Sequence, residues 1–330
     1  MIGDCFTAEQ RARAVGIYSL TPLLGPAIGP IVGGFIIENT SWRWMFYATS
    51  IADGVIQAAG IFLLQETFAP SLLQTKARKL RQTTGNSAYH TEFDGEEVGS
   101  KLRVALVRPC RLLLTQPIVQ VVALYSAYVY GVMYLMLSTF PDLWSGENRY
   151  HESISLGALN YISLALGFTL GSQLPARVND RVYLALSKRP GQKGCPEFRV
   201  PPMVLGSVLV PIGLLIYGWS AQALTHWIVP NLGAMTFAIG SIMVFQGIQV
   251  YVVDAYTRYA ASAMAAASLL RSLTGMGFPL FAPYMFEKLD YGWGNSLLAF
   301  ISIAIGFPAP ILLWYFGADL RKRSTFAAGA

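Results

Sequence analysis

The chain has 330 residues, 54% of them hydrophobic and only 13% charged, whereas a soluble domain carries about 25% charged residues. This deficit excludes an ordinary water-soluble enzyme or nucleic-acid-binding domain, because long stretches must sit where no water reaches them. The net charge of +6 does not call for a nucleic-acid partner either, since the placement of the basic residues explains it.

Eight apolar segments follow in chain order: Ala14 to Ile37, Trp44 to Leu64, Pro117 to Phe140, Ile154 to Leu174, Val200 to Trp219, Trp227 to Tyr251, Ala260 to Phe281 and Asn295 to Phe316. Each is about 20 residues or longer, the length a helix needs to cross roughly 30 Å of hydrocarbon at about 1.5 Å per residue. Barrel strands would be half as long and would alternate in polarity, which these segments do not. The expected fold class is an all-α integral membrane protein with about eight transmembrane helices. The opening stretch, Met1 to Arg13, carries Asp4, Glu9, Arg11 and Arg13 and lacks the apolar core of a secretory signal. Insertion then relies on the spans themselves.

The connecting segments alternate in charge. Met1 to Arg13, Gln65 to Gln116, Pro175 to Arg199, Val252 to Tyr259 and the tail from Gly317 together hold 20 of the 24 Lys and Arg residues. The opposite set holds Arg43, Arg149 and Lys288, and Arg271 is left inside a span. The positive-inside rule puts the basic set, and with it both termini, on the cytoplasmic side. Cys5, Cys110 and Cys195 fall on that side, where thiols stay reduced. His90, His151 and His226 are scattered over loops on both sides, so neither a disulfide nor a metal site is expected.

The charged segment Gln65 to Gln116 separates two spans from six. The expected organisation is two spans in 1–64, a cytoplasmic linker in 65–116, a six-helix unit in 117–316 and a cytoplasmic tail in 317–330. The linker run Lys76, Arg78, Lys79 and Arg81 is either a solvated face or a site for anionic lipid.

The first span carries Gly16, Gly25, Gly29, Pro30, Gly33 and Gly34. Gly25, Gly29 and Gly33 recur every four residues and make a smooth ridge for close helix approach. Pro22, Pro26 and Pro30 share that spacing and remove backbone donors, so the helix should bend. Ser163, Gly167 and Gly171 in the fourth span form a second small ridge, expected to receive the first. At each of its glycine and proline positions the first span is similar to the antiporter motif in the fifth helix of drug:proton antiporters of the major facilitator superfamily. The resemblance extends through Asp4-Cys5-Phe6, Trp42-Arg43-Trp44, Tyr256 to Ala263, Gly277 to Phe281 and Tyr291 to Asn295. Together these stretches resemble a fungal twelve-span drug:proton antiporter group.

The resemblance implies a truncated major facilitator fold holding helices five to twelve, with the four N-terminal helices outside this sequence. It also implies proton-coupled export of small amphipathic molecules across the plasma membrane, with a small-molecule substrate, protons and the lipid bilayer as partners. A transporter of polyamines or another metabolite, and a non-transporting membrane fragment, are the alternatives. Because alternating access needs two halves, the chain by itself is expected not to carry coupled transport. After the fourth span, Gly171 with Asp180 and Arg181 resembles a degenerate copy of the family's gate-loop motif, lacking the usual glycine after Asp-Arg.

Ionisable residues within spans are costly, at least about 2.5 to 3.5 kcal/mol at the bilayer centre. Asp53 in the second span is read as a proton-coupling carboxylate or a structural polar anchor, and Arg271 in the seventh as part of a polar path. Tyr125, Tyr128, Tyr130 and Tyr134 in the third span, with Gln246 and Gln249 in the sixth, lie on helices that line the central cavity in the family's helix order. Aromatic faces with a few amides suit flat amphipathic ligands. No G-x4-G-K-[ST] loop is present, so ATP is not expected as the energy source. No set of Ser, Cys and His suggests an enzyme, and no cofactor is expected.

Overall fold

The computed structural model describes residues 25–26, 28–63, 66, 69–86, 88–91, 98–173, 195–324 and 326. Among these residues the structure is helical, without strands. In lipid a backbone must satisfy its own hydrogen bonds, and a helix does so within one segment. The helices are α1 (Ile28–Asn39), α2 (Trp42–Leu63), α3 (Ala69–Thr84), α4 (Val98–Thr115), α5 (Pro117–Ser145) and α6 (Ile154–Gln173). They continue with α7 (Pro201–Gln222), α8 (Ile228–Ala255), α9 (Ala260–Gly306) and α10 (Pro308–Lys322). Proline opens α5, α7 and α10, where its missing N–H would have been unpaired in any case.

Among the described residues six helices are long and apolar enough to cross a membrane, the last being the continuous run Ala260–Lys322. That run holds two expected spans. Asp290, at φ 55° and ψ 179°, breaks it, and the chain folds back so that the Phe286 and Tyr291 rings stack 4.6 Å apart. The eighth span therefore starts at Tyr291, earlier than the expected Asn295. The expected linker contains α3 and α4. Its Ala, Leu, Lys, Arg and Gln residues all favour helix.

The chain forms two compact units, one including Ile36–Leu106 and the other combining Leu23–Phe35 with Val107–Ala330. In the first, α2 has no buried residue. Trp42, Trp44, Phe46 and Tyr47 crowd its start and are exposed, as in the aromatic belts of membrane interfaces.

In the second unit, α7 and α8 pack antiparallel through facing glycines. A Cβ on Gly206 would come within 2.8 Å of the Gly240 carbonyl, and one on Gly213 within 2.8 Å of the Gly233 carbonyl. Helix α5 runs parallel to the first limb of α9, with Thr274 Oγ1 donating to the Ala127 carbonyl at 2.6 Å and Gly131 facing the Phe278 ring. It runs antiparallel to the second limb, where Tyr128 donates to the Leu298 carbonyl. These directions are the ones that successive crossings of a bilayer impose.

The turn at Asp290 is tied down by Arg149. The Arg149 Nη2 donates to Asp290 Oδ1 at 2.7 Å, the guanidinium lies 4.7 Å from the Tyr291 ring centroid, and the Tyr291 N–H donates to the same carboxylate at 2.8 Å. Burial pushes the Asp290 carboxyl up, but the Arg149 hydrogen bond, the Tyr291 N–H and the Arg149 charge outweigh it and hold it below the usual range. A lowered carboxylate contributes stability that is present above its unfolded value, about 3.9, and is lost as pH falls through the folded value. The side chains are 24% and 42% exposed, so solvent limits the contribution to about 1 kcal/mol or less. Arg149→Ala should flatten the acid limb of a thermal-stability profile between about pH 5 and pH 3, with little change at neutral pH. An unchanged acid limb would contradict this assignment.

Candidate functional site

Arg271 lies roughly 16 Å along α9 from Ala260 at about 1.5 Å per residue. Its guanidinium carbon is 4.8 Å from the Tyr130 ring centroid on α5 and 5.9 Å from the Phe245 centroid on α8. The two rings meet edge to face at 6.1 Å. Tyr130 also leans on Tyr134 at 4.7 Å and donates to its hydroxyl at 3.1 Å. Gly275 makes room for this arrangement, since a Cβ there would come within 2.8 Å of the Tyr130 ring. Three helices thus converge on one cation inside a span.

The cation is incompletely satisfied. Its contact with Ser268 Oγ is 3.5 Å long, at the limit of a hydrogen bond, and its buried Nε has no partner among the described residues. The rings contribute cation–π attraction, about 0.5 to 2 kcal/mol each depending on desolvation, but they do not accept the in-plane N–H groups. Tyr134 is 39% exposed. Gln246 is half-buried and Gln249 exposed, on the turn of α8 that follows Phe245.

Tyr125 and Tyr128 stand elsewhere. Tyr125 is fully buried and donates to Ser207 Oγ at 2.8 Å, while Tyr128 is buried on the Leu298 carbonyl. Both are packing residues between α5 and its neighbours, which corrects their placement on an open path. Asp53 is exposed on α2. Gly16, Asp180 and Arg181 lie outside the described residues.

The expected pairing of the two glycine ridges is also corrected. Gly33 and Gly34 are buried, and a Cβ on Gly34 would come within 2.6 Å of Ala158 Cβ at the start of α6. Gly25 and Gly29, which precede the half-buried Pro30, have no described atom within 4 Å of an added Cβ. Gly167 and Gly171 face α8 instead, 2.7 Å from the Met235 carbonyl and 2.8 Å from the Ile239 carbonyl by the same measure. Helix α8 occupies the groove expected to receive the first span.

Two polar clusters close the ends of this unit. At one, Asn160 Nδ2 donates to Glu152 Oε2 at 2.7 Å and Asn231 Nδ2 donates to Asn160 Oδ1 at 2.6 Å. Burial pushes the Glu152 carboxyl up, against the lowering effect of the Asn160 bond. At the other, Arg321 grips both oxygens of Glu197, with Nη2 at 2.8 Å from each, and Arg199 pairs with Asp254 at 3.3 Å. The sequence reading missed Glu197–Arg321, whose partners are separated by 124 residues. It also missed Phe245, an ordinary aromatic within an apolar run. Apolar grooves of 420 Å³ beside Ser163, Trp227 and Asn231 and of 350 Å³ beside Val200, Pro310 and Trp314 are not lined by Arg271.

A bundle of crossing helices around an intramembrane cation and aromatic rings has the form of a membrane carrier. The sequence pattern of the Major Facilitator Superfamily matches residues 1–279. The chain is 50% identical to an efflux pump of Penicillium aethiopicum, vrtL, over 99% of its own length and 65% of that protein. It is 46% identical to an uncharacterized transporter of Schizosaccharomyces pombe, over 98% of the chain and 66% of the relative. Against the probable efflux pump mfs2 of Aspergillus flavus it is 41% identical, covering 98% of the chain and 77% of the relative. The partially occluded, inward-open xylose transporter XylE of E. coli shares the fold, with a TM-score of 0.58 at 16% identity, covering 96% of this chain and 65% of that one. The chain belongs to the Major Facilitator Superfamily, a family of membrane transporters rather than enzymes. It spans about two-thirds of the length of the first of these relatives.

Proposed function

We propose that the protein takes part in proton-coupled export of small, flat amphipathic molecules, and that Arg271, Tyr130, Tyr134 and Phe245, with Gln246 and Gln249, line the substrate path. The observation that carries this reading is a cation inside a span, held by rings and left with unused donors. Intramembrane ionisable groups are costly and mark substrate or ion routes. The names of the relatives support an export direction, and with it the plasma membrane, while the charge asymmetry of the connecting segments supports cytoplasmic termini. Residues 117–316 serve as one six-helix half, 65–116 as the cytoplasmic linker carrying α3 and α4, and 1–64 as part of the other half. The glycine and proline motif of Gly16 to Gly34 shapes the first span, and Gly171, Asp180 and Arg181 form a cytoplasmic latch. A polyamine substrate is disfavoured, because it needs carboxylates where this path presents Arg271.

Asp53 is the candidate proton carrier, a carboxylate near the middle of an apolar helix. In proteoliposomes holding the full protein and a pH-sensitive dye, a panel of flat aromatic acids, amines and neutral analogues should include members that trigger proton movement. Asp53→Asn should abolish that movement while leaving substrate binding intact. Absence of substrate-dependent proton movement across the panel would overturn the proton-coupled reading. Undiminished movement in Asp53→Asn would remove Asp53 from it.

A further inference from the structure

We infer that the Arg271 site selects substrates that carry an anion, a carboxylate or an equivalent delocalised oxyanion, at the edge of a flat aromatic frame. This rests on the export reading above and names the substrate class of that site.

A guanidinium presents five N–H donors in a planar fork and has no acceptor of its own. The Tyr130 and Phe245 ring centroids lie 4.8 Å and 5.9 Å from the central carbon of Arg271 and only 6.1 Å from each other, so both rings stand towards one side of the guanidinium. Aromatic rings accept none of its in-plane N–H groups, and the edge of the fork is where a carboxylate binds through two parallel hydrogen bonds. The edge has little to hold here: Nε is buried without a partner and Ser268 lies at 3.5 Å.

The ion pairs of this unit lie elsewhere. Asp290 pairs with Arg149, Asp254 with Arg199, Glu197 with Arg321 and Asp319 with Lys322, each at or near the end of a helix. No carboxylate among the described residues pairs with Arg271. A cationic ligand would meet uncompensated repulsion at this site, and a neutral one would leave the donors unused. An anion satisfies the fork, and its frame lies against Tyr130 and the exposed Tyr134, whose tilted rings are 4.7 Å apart. The amides of Gln246 and Gln249 add hydrogen-bonding groups that suit carbonyl or hydroxyl substituents.

A matched series tests the class directly. Binding of radiolabelled 2-naphthoate, 2-naphthamide and 2-naphthylmethylamine to the full protein, immobilised in detergent, compares one frame bearing an anion, a neutral group and a cation. The wild-type protein should bind the naphthoate at least about tenfold more tightly than the amide, with the amine weakest. Arg271→Gln should bring the naphthoate down to the affinity of the amide and leave the amide unchanged. Arg271→Lys should recover part of the loss, because it keeps the charge and loses the fork. The wild-type comparison needs no variant, so misfolding of Arg271→Gln does not blunt it.

Equal affinity of the wild type for naphthoate and amide, or a preference for the amine, would overturn the anion assignment and leave the export reading standing. A uniform loss for acid and amide in a well-folded Arg271→Gln would do the same, making Arg271 part of the wall or the partner of an acid elsewhere in the transporter. Failure of all three compounds to bind would overturn both readings.

Discussion

Gly240→Leu is expected to eliminate correctly folded protein. The Cβ alone would sit 2.8 Å from the Val210 nitrogen, 2.9 Å from Leu209 Cβ and 3.0 Å from the Gly206 carbonyl oxygen. Two of these three neighbours are backbone atoms of α7, which cannot rotate away as a side chain does. Overpacking a core costs typically about 1 to 3 kcal/mol where side chains can give, and here α7 itself must move. In a membrane, helix association depends on close packing because lipid offers no hydrophobic drive between helices. The four glycines Gly206, Gly213, Gly233 and Gly240 are all buried, so displacement at one is transmitted along the seam. Gly240→Leu should lose the monodisperse peak in size-exclusion chromatography, with Gly240→Ala giving a smaller drop in melting temperature. A monodisperse Gly240→Leu protein with a wild-type melting temperature would show that the seam is looser than these distances require.

The second large effect is expected at Glu197 and Arg321. Three hydrogen bonds of 2.8 to 3.1 Å join them, and their side chains are only 10% and 16% exposed. Removing one partner of a buried pair leaves the other as an uncompensated charge and costs about 3 to 5 kcal/mol. Arg321→Ala and Glu197→Ala should each destabilise the purified protein on that scale. The pair Glu197→Leu with Arg321→Met should recover much of the loss, since replacing both charges by apolar groups is often neutral. A cost below about 1 kcal/mol for Arg321→Ala would mean that water reaches the pair freely. The pair joins α10 to the short 3₁₀ turn Pro196–Arg199, so its loss should also loosen the entry to α7.

The aromatic site shows where sequence reasoning reaches its limit. At 3.6 residues per turn, Tyr125 and Tyr128 share one face of α5, and Tyr130 and Tyr134 lie on the opposite face. That division is legible in the spacing. Which face meets the other helices is not, because both carry tyrosine among apolar residues. The structure buries Tyr125 and Tyr128 against α7 and α9 and leaves Tyr130 and Tyr134 beside Arg271. The glycine ridge Gly167–Gly171 was visible as a packing surface in the same way, and its partner was not. A row of small residues accepts any helix that fits, and α8 takes the place expected for the first span.

By itself, the sequence determined the membrane class, the presence of long apolar segments, the charge asymmetry of the connections and the presence of a rare cation within a span. These are properties of local composition, because hydrocarbon acts on each 20-residue stretch separately through its length and polarity. The tertiary structure alone decided that Asp290 folds one continuous helical run into two limbs, that Glu197 finds Arg321, and that Tyr130 and Phe245 meet Arg271. Those contacts join residues 26 to 141 positions apart, and no local rule of spacing relates them. Packing selects the partners, because only the assembled helices bring their backbones and side chains within reach.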